Sequence, residues 1–191
     1  KEIKNIKKIF DIRKIKCDTF LKSQANTENL KKQKNPAILH IATHGFFRED
    51  ITAKENKNNT DESNNTAVNP LLRSGLILSG SEFFTAYEAM NMDLDSTLLV
   101  TLSACETGLG EINNGEGVYG LQRALITAGA GNIIMSLWKV SDEVTTELMT
   151  SFYEYFLNDK DIRKAFKKAQ FEVRSKYKDP LYWGAFVILG L

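Results

Sequence analysis

The sequence predicts an α/β protein with a mainly parallel central sheet flanked by helices. Three observations point there. Short, almost wholly apolar runs recur at AILHIA (37–42), TLLVTLSA (97–104), NIIMSLW (132–138) and WGAFVIL (183–189). Such runs suit strands covered on both faces. Between them lie stretches with apolar residues at helical spacing, and strands alternating with helices imply parallel crossovers. At 191 residues the chain is long enough for one substantial core, while two domains would be cramped.

Taken in order, Ile3, Ile6, Ile9, Phe10 and Ile12 predict an opening amphipathic helix. Residues 23–35 are polar and lead through Pro36 into the strand AILHIA. Residues 54–69 (KENKNNTDESNNTAVN) hold six Asn and almost nothing apolar, which reads as a disordered surface insertion. GLILS (75–79) is a short strand, and Thr85 to Met92 a short helix. After the strand TLLVTLSA comes a glycine-rich loop over Gly108–Gly120, and then Val118, Leu121, Leu125 and Ala128 share a helical face. The GAG at 129–131 ends that helix by permitting left-handed backbone. Ser141 is a good N-cap, with Asp142 and Glu143 suited to the first turn it opens. Val144, Leu148, Phe152 and Phe156 form one stripe of that helix. Ile162, Ala165, Phe166, Ala169 and Val173 mark another, broken by Asp179-Pro180 before the closing strand WGAFVIL. We expect residues 1–35 to be a helical lead-in to one domain whose body spans 36–191.

Composition excludes several classes. The net charge is +1, so no field of one sign advertises nucleic acid or a membrane surface. Lysines crowd the first 34 residues, and we read them as a solvated helical face. No run approaches the roughly 18 apolar residues of a membrane span. Cys17 and Cys105 cannot make a disulfide framework, which suits a reducing compartment such as the cytoplasm.

In parallel sheets, sites form beyond the carboxyl ends of the strands. His44, Cys105 and the Trp138–Asp142 segment all lie just past predicted strand ends. A thiol and an imidazole so placed suit a cysteine nucleophile and its base. A thiol of pKa about 8.5 is activated when a neighbouring imidazolium lowers that value, and the imidazole can then protonate the leaving amine. Gly45 beside the base lets its N–H approach a developing oxyanion, with the Cys105 N–H as partner. His40 and His44 are four residues apart, but on a strand that separates them by roughly 13 Å, too far for one ion. No metal or cofactor is expected, and His40 reads as a core histidine with satisfied nitrogens. GEGVYG matches G-x-G-x-x-G at Gly115, Gly117 and Gly120. It opens too far from its strand for a dinucleotide site, so we read the loop as an adjustable wall of the substrate site.

ILHIATHGFF, LLVTLSACETGLGE and GEGVYGLQRALITAGAGNIIMSLWKVSDEVT together resemble the CHAT domain, a caspase-like module of bacteria and archaea related more distantly to separase. The resemblance covers about residues 36–190. It implies a caspase-like sandwich and a clan CD cysteine endopeptidase, with the catalytic His at His44 in IATHG and the catalytic Cys at Cys105 in SACETG. The two are 61 residues apart; caspases place them about 50 apart, and the Asn-rich insertion accounts for the excess. The resemblance also implies a protein substrate, and a sensor such as tetratricopeptide repeats upstream. Separases carry a stretch similar to SLWKVSDEV whose acid faces a basic P1 residue. That would make Asp142, with Glu143 as fallback, the floor of the S1 pocket. The competing reading is an acid stabilised in a helix first turn. A reading from another class is a catalytically silent interaction module.

Overall fold

The computed structural model describes residues 1–47, 69–103 and 116–190. Helix α1 (Glu2–Ile12) and the short α2 (Thr27–Lys31) precede strands β1 (Ile38–Ile41) and β2 (His44–Phe47). A single-turn helix α3 (Pro70–Arg73) runs into β3 (Ser74–Ile77), then β4 (Phe83–Thr85), α4 (Ala86–Met90) and β5 (Leu99–Leu102). Helix α5 (Glu116–Thr127), β6 (Asn132–Ser136), α6 (Asp142–Asp159), α7 (Ile162–Lys176), α8 (Pro180–Trp183) and β7 (Phe186–Gly190) complete the chain.

The main sheet has the order β1-β5-β6-β7. β1, β5 and β6 are parallel, and β7 runs antiparallel to β6. A second, antiparallel sheet has the order β2-β3-β4. This is the mixed α/β architecture expected from the alternating pattern, a mostly parallel sheet flanked by helices.

Side-chain alternation along each strand sorts the core into two layers. Ile38, Leu99, Ile134, Phe186 and Ile188 pack with Ile6, Ile9 and Phe10 of α1 and the apolar faces of α6 and α7. Leu39, Val100, Leu102, Ile133 and Met135 face the other way, against Ala86 and Ala89 of α4, Leu121 and Leu125 of α5, and Leu76 and Phe84 of the small sheet. The predicted stripe Val144, Leu148, Phe152 and Phe156 is buried as a unit. Burial of each such side chain stabilises by about 1.5–3 kcal/mol.

Local signals place the helix ends. The Ser141 Oγ accepts the Val144 N–H, and Asp161 accepts that of Lys164. Thr85 and Glu88 form a reciprocal capping box at α4. Gly129 has φ +103, and a Cβ there would lie 2.6 Å from the Asp95 backbone, so only glycine fits the turn that closes α5.

Several expectations are corrected. AILHIA is the edge strand β1, half-buried rather than fully buried, because among the described residues it pairs with β5 alone. The glycine-rich loop ends earlier than expected: Gly117 and Gly120 lie inside α5. A Cβ at Gly120 would approach the Ser74 Oγ to 2.6 Å, so this glycine permits close helix–strand packing. Asp179-Pro180 does not break α7, which ends at Lys176; Asp179 caps α8, with Pro180 at its first position. The closing strand begins at Phe186, because Trp183 still belongs to α8. Asn69, at the end of the expected insertion, caps α3 by accepting the Leu71 N–H. Residues 54–68, the side chain of Val118 and the segment 104–115 lie outside the described residues. Among the described residues, no helix is long and apolar enough to cross a membrane.

Candidate active site

Parallel pairing brings the carboxyl ends of β1, β5 and β6 to one rim. Ile41 of β1 is the register partner of Leu102 of β5. One residue on, the Ser103 N–H donates to the Ile41 carbonyl at 3.0 Å, so the two chains leave the sheet together.

His44 follows Ile41 by three residues and is the first residue of β2. The turn that carries it is fixed on both sides. The Thr43 hydroxyl donates to the Ile77 carbonyl, and His44 itself is the register partner of Ile77. The His44 side is exposed and Gly45 is buried, an arrangement that presents the imidazole at the rim while its neighbour packs into the small sheet. Strand β3 approaches closely because its second residue is Gly75. A Cβ there would lie 2.1 Å from the Phe84 carbonyl oxygen and 2.9 Å from Cε1 of Phe46.

Cys105 follows Leu102 by the same three residues, and it lies outside the described residues. Cys17 is a free, partly buried thiol. It packs against the layer formed by α1 and α6, and burial pushes its thiol up, with Lys7 opposing. Cys17 therefore carries even less thiolate at neutral pH than a free cysteine.

Asp142 and Glu143 are exposed in the first turn of α6, beyond the end of β6. Glu143 lies within electrostatic reach of Lys176 and Tyr177 of the neighbouring helix end. The segment that carries them is pinned to the closing elements. The Leu137 N–H donates to the Ala185 carbonyl at 2.8 Å, and the Trp138 indole N–H donates to the Leu181 carbonyl at 3.0 Å. The Ser136 hydroxyl donates to the Trp138 carbonyl. Two acids thus stand on a fixed support at the same rim as His44.

His40 is a satisfied histidine, as expected, and its partners are specific. Its Nδ1 lies 3.0 Å from the Tyr153 hydroxyl, and its Nε2 lies 2.8 Å from Oε1 of Glu2. Both nitrogens are engaged, and His40 and His44 belong to different sheets. Sequence reasoning passed over Glu2 and Tyr153. The available signal was a tyrosine inside the apolar stripe of α6, since a buried hydroxyl must find a partner.

A family model of the CHAT domain matches residues 1–191. The chain belongs to the CHAT family. This is a family of caspase-like fold, and the match takes in α1 as well as the body of the sheet. The CHAT domain is similar to tetratricopeptide repeat protein 28 of Homo sapiens, 29% identical over 108 residues, or 56% of this chain and 4% of that protein. The Mus musculus protein of the same name is 28% identical over the same length, with the same coverage. The chain thus spans a small fraction of the length of the curated relatives it matches.

Proposed function

We propose that this CHAT domain is a cysteine endopeptidase acting by limited proteolysis on a protein substrate. The observation that carries the reading is the register of β1 and β5. Neighbouring strands lie about 4.8 Å apart, Ile41 and Leu102 are partners across them, and His44 and Cys105 each follow by three residues of chain. Family membership supplies the chemistry that such a pair would perform.

The Cys105 thiolate attacks the scissile carbonyl carbon, and the carbonyl oxygen becomes an oxyanion held by the N–H groups of Gly45 and Cys105. His44, protonated after taking the thiol proton, gives that proton to the leaving amine as the C–N bond breaks. Water, deprotonated by His44, then attacks the thioester, and the thiolate leaves. The thiol form is kept in a reducing cytoplasm. The curated relatives are tetratricopeptide repeat proteins, which supports an upstream repeat or other sensor segment as the partner that governs cleavage.

Peptide cleavage tests this reading. The wild type should cut a peptide library at defined bonds, and Cys105→Ala should cut none while keeping its far-ultraviolet dichroism. A variant cleaving at near wild-type rate would remove the peptidase. A wild type that cuts nothing would favour the silent interaction module.

Specificity follows from the acids on α6. With Asp142 facing P1, peptides with Arg or Lys there are preferred. Asp142→Ala should lower their kcat/KM by about 10- to 100-fold, the loss of a charged hydrogen bond of about 1.5–3 kcal/mol, with neutral peptides little changed. If Asp142 serves only the helix dipole, the variant loses stability within about 1 kcal/mol and keeps its P1 ranking; the role then falls to Glu143 or elsewhere.

A further inference from the structure

Beneath the rim, four elements meet at one polar cluster in the core. His40 of β1 reaches Glu2 of α1 at 2.8 Å, the Tyr153 hydroxyl of α6 at 3.0 Å, and the Ser103 Oγ, just past β5, at 3.3 Å. The Tyr153 hydroxyl also lies 3.2 Å from the Thr101 Oγ1 of β5. The cluster is shielded: the side chains of His40 and Glu2 are 9% and 13% exposed, and Tyr153 is fully buried. Phe10 of α1 and His40 each hold their ring centroid 5.6 Å from that of Tyr153.

Proton placement follows from the partners. A carboxylate only accepts, so Nε2 of His40 carries hydrogen and donates to Glu2. Burial pushes the Tyr153 hydroxyl well above the usual phenol range, so it stays a neutral donor. It pairs with Nδ1 of His40 and with the Thr101 hydroxyl, donating to one and accepting from the other. Every polar group in the chain Thr101–Tyr153–His40–Glu2 is then satisfied, and a satisfied buried network holds its members in one arrangement.

An anchor for α1 would need only Glu2 and His40. The contact with Ser103 is additional, and Ser103 is two residues before Cys105 while His40 is four before His44. We propose that Glu2 and His40 are positioning residues that tie helix α1 to both strands leading to the reactive pair, so that the seating of α1 sets the reactivity of Cys105. The inference rests on Cys105 and His44 being that pair.

The test reads thiol reactivity and needs no substrate. In the 191-residue chain, iodoacetamide labelling of Cys105 and Cys17 is followed separately by peptide mass spectrometry in wild type, Glu2→Ala and Glu2→Gln. Misplacement of reacting groups by about 1 Å is enough for large rate losses, so Glu2→Ala should label Cys105 about tenfold or more slowly. Glu2→Gln keeps an oxygen that accepts from Nε2 and should stay within roughly twofold of wild type. Cys17, beside Lys7 and Asp11 of α1, reports how the helix sits and should label faster in Glu2→Ala, as its burial is relieved, and at the wild-type rate in Glu2→Gln. An unchanged Cys105 rate in Glu2→Ala overturns the proposal. So does a Cys105 rate that rises together with that of Cys17, which would mean a general loosening of the fold rather than the loss of a positioned nucleophile. Peptide cleavage is measured in parallel: a wild type without cleavage counts against the peptidase, whereas the labelling ratios decide the coupling.

Discussion

Replacing His44 with alanine should lower peptide cleavage by about 10²–10⁴-fold, the usual contribution of a positioned acid–base group. The imidazole has two tasks in the proposed cycle, ionising the thiol and protonating the leaving amine, so both acylation and turnover suffer. Its loss should not add to the loss of Cys105. The double variant His44→Ala with Cys105→Ala should be no slower than Cys105→Ala alone, because groups acting as a unit fail together. Stability should change little, since the His44 side chain is exposed at the start of β2. The measurement is kcat/KM on a cleaved peptide, beside a denaturant titration of each variant. A His44→Ala protein that retained most of its activity would place the base elsewhere.

The largest expected effect on stability is at Phe152. It is fully buried, and its ring contacts Tyr153 at 4.9 Å, stacks on Phe156 at 5.9 Å and meets Phe166 of α7 edge-on at 6.2 Å. Phe152→Ala should cost about 3–5 kcal/mol, the transfer of the ring plus the cavity left behind. That is a large share of the roughly 5–15 kcal/mol that hold a domain folded. Urea unfolding should show a lower midpoint at unchanged slope. Phe152→Leu, which refills part of the space, should lose less. Equal midpoints for Phe152→Ala and wild type would mean that α6 and α7 do not pack through this ring.

The elements with strong periodicity were legible from sequence because local pattern and tertiary burial agree there. The stripes of α6 and α7, the Ser141 cap and the Gly129 turn are set by spacing and backbone freedom, and they appear where expected. Of the small sheet only β3 was legible, as GLILS, and its partners were not. HGFF and FFT are too short to establish a period, and their pairing depends on Gly75, whose role is the absence of a side chain. The edge position of β1 was hidden for another reason: an apolar run reports contact with both faces but not how many neighbours pair with it. The cluster around His40 depends on contacts across 38 and 113 residues of chain, so its partners could not be named from spacing. At the candidate site, the strand-end positions of His44 and Asp142 were legible because parallel topology sends carboxyl ends to one rim. The strand pairing that seats His44, and the α8 contact that holds the segment before Asp142, were not.

The central claim is that Cys105 is a nucleophile activated by His44, and covalent trapping reads it most directly. The protein is incubated with a peptidyl chloromethyl ketone, in which thiolate attack displaces chloride and leaves a stable thioether, and intact and peptide masses are then recorded. The account predicts one adduct per chain, on Cys105, absent from Cys105→Ala and formed far more slowly in His44→Ala. An adduct on Cys17, or labelling of Cys105 at the same rate with and without His44, would contradict it.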